Sequence, residues 1–262
     1  MRWAIALYES FFKSFRGKGF GLGLFNRFHR HVYEGLLQPP YVEINGCRLF
    51  LPRHDDGVSD SLRFEHEWEP EMTREFEAAV RPGMTVLDLG ANIGYHSILA
   101  SRLVGPRGRV LAFEPDPANL ELLRRNIQAN GCTNVEVFPC AVGPREGTVD
   151  LNLCDSNTGS HSTVYIPQGT RGTVTVRMVR LDDFLPAEKP DVVKMDIEGS
   201  EAGALDGMVR LLGDNRLKAV FIECNPYILS RLGSSKDELL GRLRSRGFKD
   251  RSLDSLNVLC ER

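Results

Sequence analysis

From residue 84 onward, short apolar runs alternate with stretches of helical periodicity. The runs 85–89, 109–113, 135–140, 191–195 and 218–223 read as strands, and 94–103, 117–130 and 199–212 read as helices. Such β-α repetition predicts a parallel sheet with helices on both faces. Asp116-Pro117 marks one helix start, a capping side chain followed by proline at the first helical position. Two more β-runs, 147–153 and 172–180, interrupt the alternation. A helix at 235–246 and strands at 247–252 and 256–260 close the chain, and the last two are expected to pair as an antiparallel hairpin.

The earlier part follows other periods. Trp3, Leu7, Phe11 and Phe15 recur every four residues on one helical face. Gly17, Gly19, Gly21 and Gly23 then break the pattern, and a second stripe follows at Leu24, Phe25, Phe28 and Val32. Residues 1–38 hold nine of the 22 aromatics, with six Lys/Arg against two acids. Two readings stay open for this segment: an interfacial helix that docks on a membrane or covers a greasy acceptor, and a face that packs on the domain or a second subunit. Over 39–83 the sequence predicts a hairpin turning at Asn45-Gly46, where both residues tolerate positive φ. A helix opened by Pro70 and Glu71 should then run through Val80 to the Pro82-Gly83 stop.

The chain has 262 residues, of which 42% are hydrophobic and 26% charged, enough for one cored domain plus extensions. A net charge of −2 supplies no global field for nucleic acid. None of the six cysteines forms CxxC, which argues against a cysteine-built zinc site and fits a reducing, cytoplasmic compartment. The sequence has no apolar run of membrane-spanning length, and polar residues interrupt its start too often for a secretory signal.

The stretch VLDLGANIGYHS (86–97) carries the first chemistry. A glycine loop after the first strand of a parallel sheet binds ligand at the sheet's C-terminal edge. No Lys-Ser or Lys-Thr follows these glycines, so a nucleoside triphosphate is disfavoured. The spacing is GxxxG rather than GxGxxG, and Asp88 beside the loop would repel a pyrophosphate. S-adenosylmethionine has no phosphate and carries two cationic groups, so an acid there suits it. Glu114, about 20 residues after the glycines and ending the second strand, is placed to accept both ribose hydroxyls.

VLDLGANIGYHS, VLAFEPDPANLELLRRNIQANG, VFPCAVG and VVKMDIEGSE, in that order, resemble the FkbM-type methyltransferases over about residues 66–225. The resemblance implies a Rossmann-like class I methyltransferase: α/β, a mostly parallel seven-stranded sheet with helices on both faces and an antiparallel C-terminal strand. The domain would span 84–262. It implies S-adenosylmethionine as cofactor, with Asp88, Gly90, Ala91, Asn92, Gly94 and Ser97 in the methionine-end loop. Glu114 and Pro115 would meet the ribose, Cys140 and Ala141 would lie beside adenine through backbone, and Asp196 would face the methyl donor.

On the fourth strand, alternation sends Lys194, Asp196 and Glu198 to one side. Charges on a buried strand are costly unless they line a site. Asp196 or Glu198 could deprotonate an acceptor hydroxyl, or the two could hold a divalent ion that acidifies it. His161, in the Ser/Thr/Gly-rich SNTGSHST loop, is the other candidate base. The stretch ECNPY (223–227) resembles the NPPY of amino-methylating enzymes but lacks the second proline and follows the wrong strand. Asn225 stands where the family often has histidine. The expected function is O-methylation of a small molecule, sugar or lipid-linked glycan. The rivals are a nucleic-acid methyltransferase, a non-catalytic cofactor-binding module and an NAD oxidoreductase.

Overall fold

The computed structural model describes residues 39–262 except 53, 54, 56 and 156. The aromatic stripes of residues 1–38, and the expectation of membrane or subunit contact built on them, lie outside the described residues. Among the described residues no helix is long and apolar enough to cross a membrane.

The chain opens with the hairpin β1 (Tyr41–Ile44) and β2 (Cys47–Phe50). Asn45 and Gly46 take φ of 51° and 74° at the turn, as a two-residue hairpin requires. Helices α1 (Val58–Phe64) and α2 (Pro70–Ala79) follow. The alternating core is β3 (Thr85–Leu89), α3 (Tyr95–Val104), β4 (Arg109–Phe113), α4 (Pro117–Ala129) and β5 (Val135–Phe138). Next come β6 (Ala141–Val142), β7 (Gly147–Cys154), β8 (Thr170–Val179) and β9 (Val192–Met195). After them run α5 (Glu201–Gly207), α6 (Val209–Gly213), β10 (Ala219–Glu223), α7 (Pro226–Arg231) and α8 (Lys236–Arg244). The hairpin β11 (Lys249–Ser252) and β12 (Asn257–Glu261) ends the chain.

Seven strands form one sheet in the order β11-β12-β10-β9-β3-β4-β5. The pairs β10–β9, β9–β3, β3–β4 and β4–β5 are parallel, and β12 runs antiparallel to both its neighbours. The seven-stranded α/β expectation holds, including the antiparallel C-terminal strand. The chain reverses its winding between β3 and β9, which opens a crevice beyond their carboxyl ends. Alternation divides each strand between two cores. Leu87, Leu111, Val193 and Val220 pack with α5, α6 and α8 on one face, while Val86, Val110, Val192 and Phe221 pack with α2 and α3 on the other.

Two sequence expectations change. Residues 135–140 do not continue as one strand: β5 stops at Phe138, and β6 joins β7 and β8 in a separate three-stranded sheet. The helix expected at 199–212 breaks at Met208. Asp182, distant in sequence, accepts the Arg210 and Leu211 N–H groups at 2.8 and 3.2 Å, giving the second piece its own N-terminal partner.

The hairpin is clipped to the domain by Asn126 of α4, which is fully buried. Its amide donates to the carbonyls of Phe50 (3.0 Å) and Ile93 (2.8 Å) and accepts the Phe50 N–H (2.6 Å). Asn126→Leu orphans all three backbone groups, so we expect a loss of about 3 kcal/mol in urea unfolding, at ~1 kcal/mol or more per stranded group. A loss below about 1 kcal/mol would show that the hairpin does not need the clip.

Candidate active site

A cavity of about 420 Å³ lies at the C-terminal ends of β3, β4, β9 and β10, within the usual range for small-molecule sites. Its floor is the loop after β3 (Gly90–Ile93), one side is Phe113–Pro115 with Cys140–Val142, and the other is Lys194 with Asp196–Glu198. Trp68 and Glu69, the loop 157–161 and the hairpin turn 254–257 complete it. Five buried polar atoms on this wall have no hydrogen-bond partner among the described residues: Glu69 Oε2, Asn92 Oδ1, His96 Nε2, Thr158 Oγ1 and His161 Nε2.

The floor loop is tight. Gly90 has φ +81°, and a Cβ there would lie 1.8 Å from the Asp196 carbonyl oxygen. Its own carbonyl accepts the Lys194 ammonium at 3.1 Å. Gly94, at φ +95°, does not line the cavity. It is glycine because α4 crosses there, with Leu123 Cδ1 only 2.6 Å from where a Cβ would stand.

Asp88 departs from its expected place. Register puts it opposite Lys194 on the neighbouring strand, on the face that α2 and α3 cover. Its carboxylate is 1% exposed and absent from the cavity wall. Oδ2 accepts the Ser97 hydroxyl (2.5 Å), and Oδ1 stands 3.8 Å from Lys194 Nζ. Burial raises the Asp88 carboxyl, with Lys194 and Ser97 opposing. Ser97 likewise turns to Asp88 rather than to the cavity. Burial works to lower the Lys194 ammonium, but Asp196 and Asp88 outweigh it and hold it above the ordinary value. Asp88 therefore belongs to a neutralised pair beneath the loop, and the acidity that faces the cavity comes from other residues.

Glu114 does face it. The buried carboxylate accepts the Asn92 and Asp116 N–H groups, each at 2.8 Å, and keeps lone pairs on both oxygens. Burial raises it to about 7 against those two donors.

The loop 157–163 lines one part of the cavity and is pinned at several points. Thr158 N–H donates to buried Asp55 (3.1 Å), Asn119 donates to the Thr158 carbonyl (3.0 Å), and Ser162 Oγ donates to the Glu198 carbonyl (2.7 Å). His161 lines the wall, but its Nδ1 accepts the Cys154 N–H at 3.0 Å. The neutral ring then carries its proton on Nε2, 3.9 Å from Asp116 Oδ2. Burial lowers its pKa and Asp116 opposes. His161 thus presents a donor, and the base expected of it has no free nitrogen.

Lys194, Asp196 and Glu198 come together, though not by strand alternation. The strand ends at Met195, and Glu198 takes a left-handed φ of 50°. Lys194 Nζ reaches Asp196 Oδ2 at 3.3 Å. The sequence reading missed Glu223 and Glu69. Glu223 ends β10, 9% exposed, and Glu69 precedes α2 in a left-handed conformation. Burial first, then Asp196, raises Glu198 to about 8, Glu223 to about 10 and Glu69 to about 7. Lys194 is the only Lys or Arg among the described residues of the wall. Glu223 could have been found from its place at a strand's carboxyl end; Glu69 leaves no such signal. Asn225 caps α7 by accepting the Tyr227 and Ile228 N–H groups.

Residues 88–249 match the family model described as the methyltransferase FkbM domain. The chain belongs to the FkbM methyltransferase family. Over 128 residues it is 30% identical to the hexuronic acid methyltransferase AglP of Haloferax volcanii, covering 48% of this chain and 50% of that protein. Over 156 residues it is 30% identical to the arsenite methyltransferase of Halobacterium salinarum, covering 55% of this chain and 40% of that one. The chain spans about half the length of the curated relatives it matches. Among solved structures it is similar to the FkbM methyltransferase of Methylobacillus flagellatus KT, with 20% identity, TM-score 0.46, and coverage of 77% of this chain and 52% of that one. The FkbM match begins at Asp88 and ends at Lys249, so it contains the last two residues of β3, all of β4 to β10 and most of the cavity, while Trp68, Glu69 and the turn 254–257 reach the wall from outside it.

Proposed function

We propose that this chain is an S-adenosylmethionine-dependent methyltransferase acting on a hydroxyl, most readily one on a sugar. The observation that carries the reading is the acid-lined cavity at the winding switch, with Glu69, Glu114, Asp196, Glu198, Glu223 and Asp254 on its wall and Lys194 the only Lys or Arg among its described residues. Such a site offers a pyrophosphate little, and a cationic, phosphate-free nucleoside would favour the ionised form of its raised carboxyls. The fit extends to details. Gly90 brings the loop backbone close, Asn92 and His161 offer unpartnered polar atoms, and Phe113, Pro115, Cys140 and Ala141 form an apolar slot. Gly90–Asn92 would hold the amino-acid end, Glu114 the ribose hydroxyls, and Cys140–Ala141 the adenine. Asp88, Gly94 and Ser97 would support that loop from beneath.

The cofactor supplies a methyl group on a sulfonium leaving group. The chain's part is to align an acceptor oxygen with it and take the oxygen's proton as the new O–C bond forms and the C–S bond breaks toward sulfur. Asp196 and Glu198 stand on the acceptor side for that transfer, with Lys194 holding Asp196 in place. The sugar reading is supported by the similarity to a hexuronic acid methyltransferase.

Calorimetry tests the cofactor first: S-adenosylhomocysteine should bind one per chain and NAD should not. Label from S-adenosylmethionine should then enter glycan acceptors as an alkali-stable ether. An alkali-labile ester would move the acceptor to a carboxylate, and binding without transfer would favour a non-catalytic module. Glu114 adds a pH signature. Ribose hydroxyls donate to the ionised carboxylate, which protonates below about 7. S-adenosylhomocysteine affinity should therefore fall from pH 8 to pH 6, by up to about tenfold per unit below the pKa. Glu114→Gln should flatten that slope and weaken binding about tenfold, because its amide would face the Asn92 or Asp116 N–H. A flat profile for the unsubstituted chain would remove Glu114 from the contact.

A further inference from the structure

We propose that Trp68, Glu69 and Asn257 form the holding site for the acceptor, and that it is built for a polyhydroxylated ring of the sugar class. The inference rests on the methyltransferase reading, which puts the cofactor's ribose at Glu114 on β4 and its amino-acid end on the loop after β3. From the other side the sheet runs β12-β10-β9-β3. At about 4.8 Å per strand, β12 stands roughly 14 Å from β3. That end of the cavity lies beyond the cofactor, and Glu69 is tied to it. Its Oε1 accepts the Asn257 amide at 2.8 Å, and Asn257 opposes Glu223 in the β10–β12 register.

The tie is fixed at both ends. Asn257 is 3% exposed, and its amide also donates to Asp254 at 3.0 Å, which uses both of its hydrogens. Glu69 takes a left-handed φ of 46°. The Thr73 N–H donates to its carbonyl and the Thr73 hydroxyl to the Trp68 carbonyl, each at 2.8 Å. One oxygen of the Glu69 carboxylate is therefore held, while Oε2 is buried without a hydrogen-bond partner among the described residues. A buried acceptor in a cavity wall calls for a donor from the ligand. A ring hydroxyl supplies one. Trp68, the preceding residue, lines the same wall. Its flat apolar ring suits the C–H face of a sugar, whose hydroxyls project from the edge within reach of a neighbouring carboxylate. Trp68, Glu69 and Asn257 all lie outside the matched residues 88–249. Acceptor choice can thus be set by these segments without altering the cofactor loop.

Trp3→Phe leaves Trp68 as the chain's one tryptophan, so its emission reports on the site. The full-length Trp3→Phe chain is titrated with methyl β-D-glucopyranoside and with methyl β-D-glucopyranosiduronate, with and without S-adenosylhomocysteine. At least one glycoside should change the emission saturably at millimolar concentration, and cyclohexanol, a ring with a single hydroxyl, should not. Glu69→Gln should weaken the glycoside at least about tenfold, as loss of a hydrogen bond to a charged group does, while S-adenosylhomocysteine binds as before in calorimetry. Asn257→Ala, which unties Glu69, should weaken it too, and this covers the case in which Glu69→Gln fails to fold. No saturable response to either glycoside, or equal affinities in the folded variants, overturns the acceptor site. Loss of S-adenosylhomocysteine binding in folded Glu69→Gln assigns Glu69 to the cofactor's amino-acid end and overturns it as well. A glycoside response from a chain that does not bind S-adenosylhomocysteine overturns the methyltransferase reading instead.

Discussion

Gly90→Ala should lower stability by about 3–4 kcal/mol and abolish measurable S-adenosylhomocysteine binding. The figure combines ~1 kcal/mol for a left-handed non-glycine residue with the larger cost of forcing backbone apart in a packed site. A Cβ at Gly90 would meet the Asp196 carbonyl oxygen at 1.8 Å and its carbon at 2.9 Å. Neither side can easily yield, since the Asp196 N–H donates to the Leu89 carbonyl and Gly90 N–H donates to the Phe113 carbonyl. At roughly 2–4 °C per kcal/mol for a domain of this size, the melting temperature should drop by about 6–15 °C. Gly131→Ala is the control. Its φ of +64° is also left-handed, but nothing lies within 4 Å of the added methyl, so its cost should stay near 1 kcal/mol. Equal costs at the two positions would show that the loop does not press on Asp196.

Lys194→Met should cost about 3–5 kcal/mol in urea unfolding, because removing one member of a buried charge group strands the others. Asp88, 1% exposed, would keep only the Ser97 hydroxyl as partner. Adding Asp88→Asn should recover at least about 1 kcal/mol, a coupling of the size that contacting pairs show. Strict additivity of the two substitutions would mean that the 3.8 Å approach carries no interaction, and the account of Asp88 as a neutralised residue beneath the loop would fail.

Much of the scaffold was legible because apolar alternation and punctuation residues act locally. Asn45-Gly46, Asp116-Pro117 and the glycines at 90 and 94 each mark an element boundary that the structure keeps. Glu114 and Asp196 could be singled out because the carboxyl ends of parallel strands converge on one edge. Asp88 shows where that reasoning stops. Its strand position was legible, but the residue opposite it, Lys194, lies more than a hundred positions away, and only the β3–β9 register reveals that the two cancel. Glu223 also ends a strand, but its nearness to Asp196 and Glu198 shows only once β10 is laid beside β9. The tautomer of His161 depends on the Cys154 N–H that β7 brings to its ring.

The chain's own pattern thus determined the α/β class, the order of strands and helices along it and the glycine loop at its first turn, since each depends on contacts between near neighbours. Which acids face the cavity and which are silenced below it were decided by tertiary structure. Charge interacts through space, and distances in space are set by strand order and register, which no local stretch encodes.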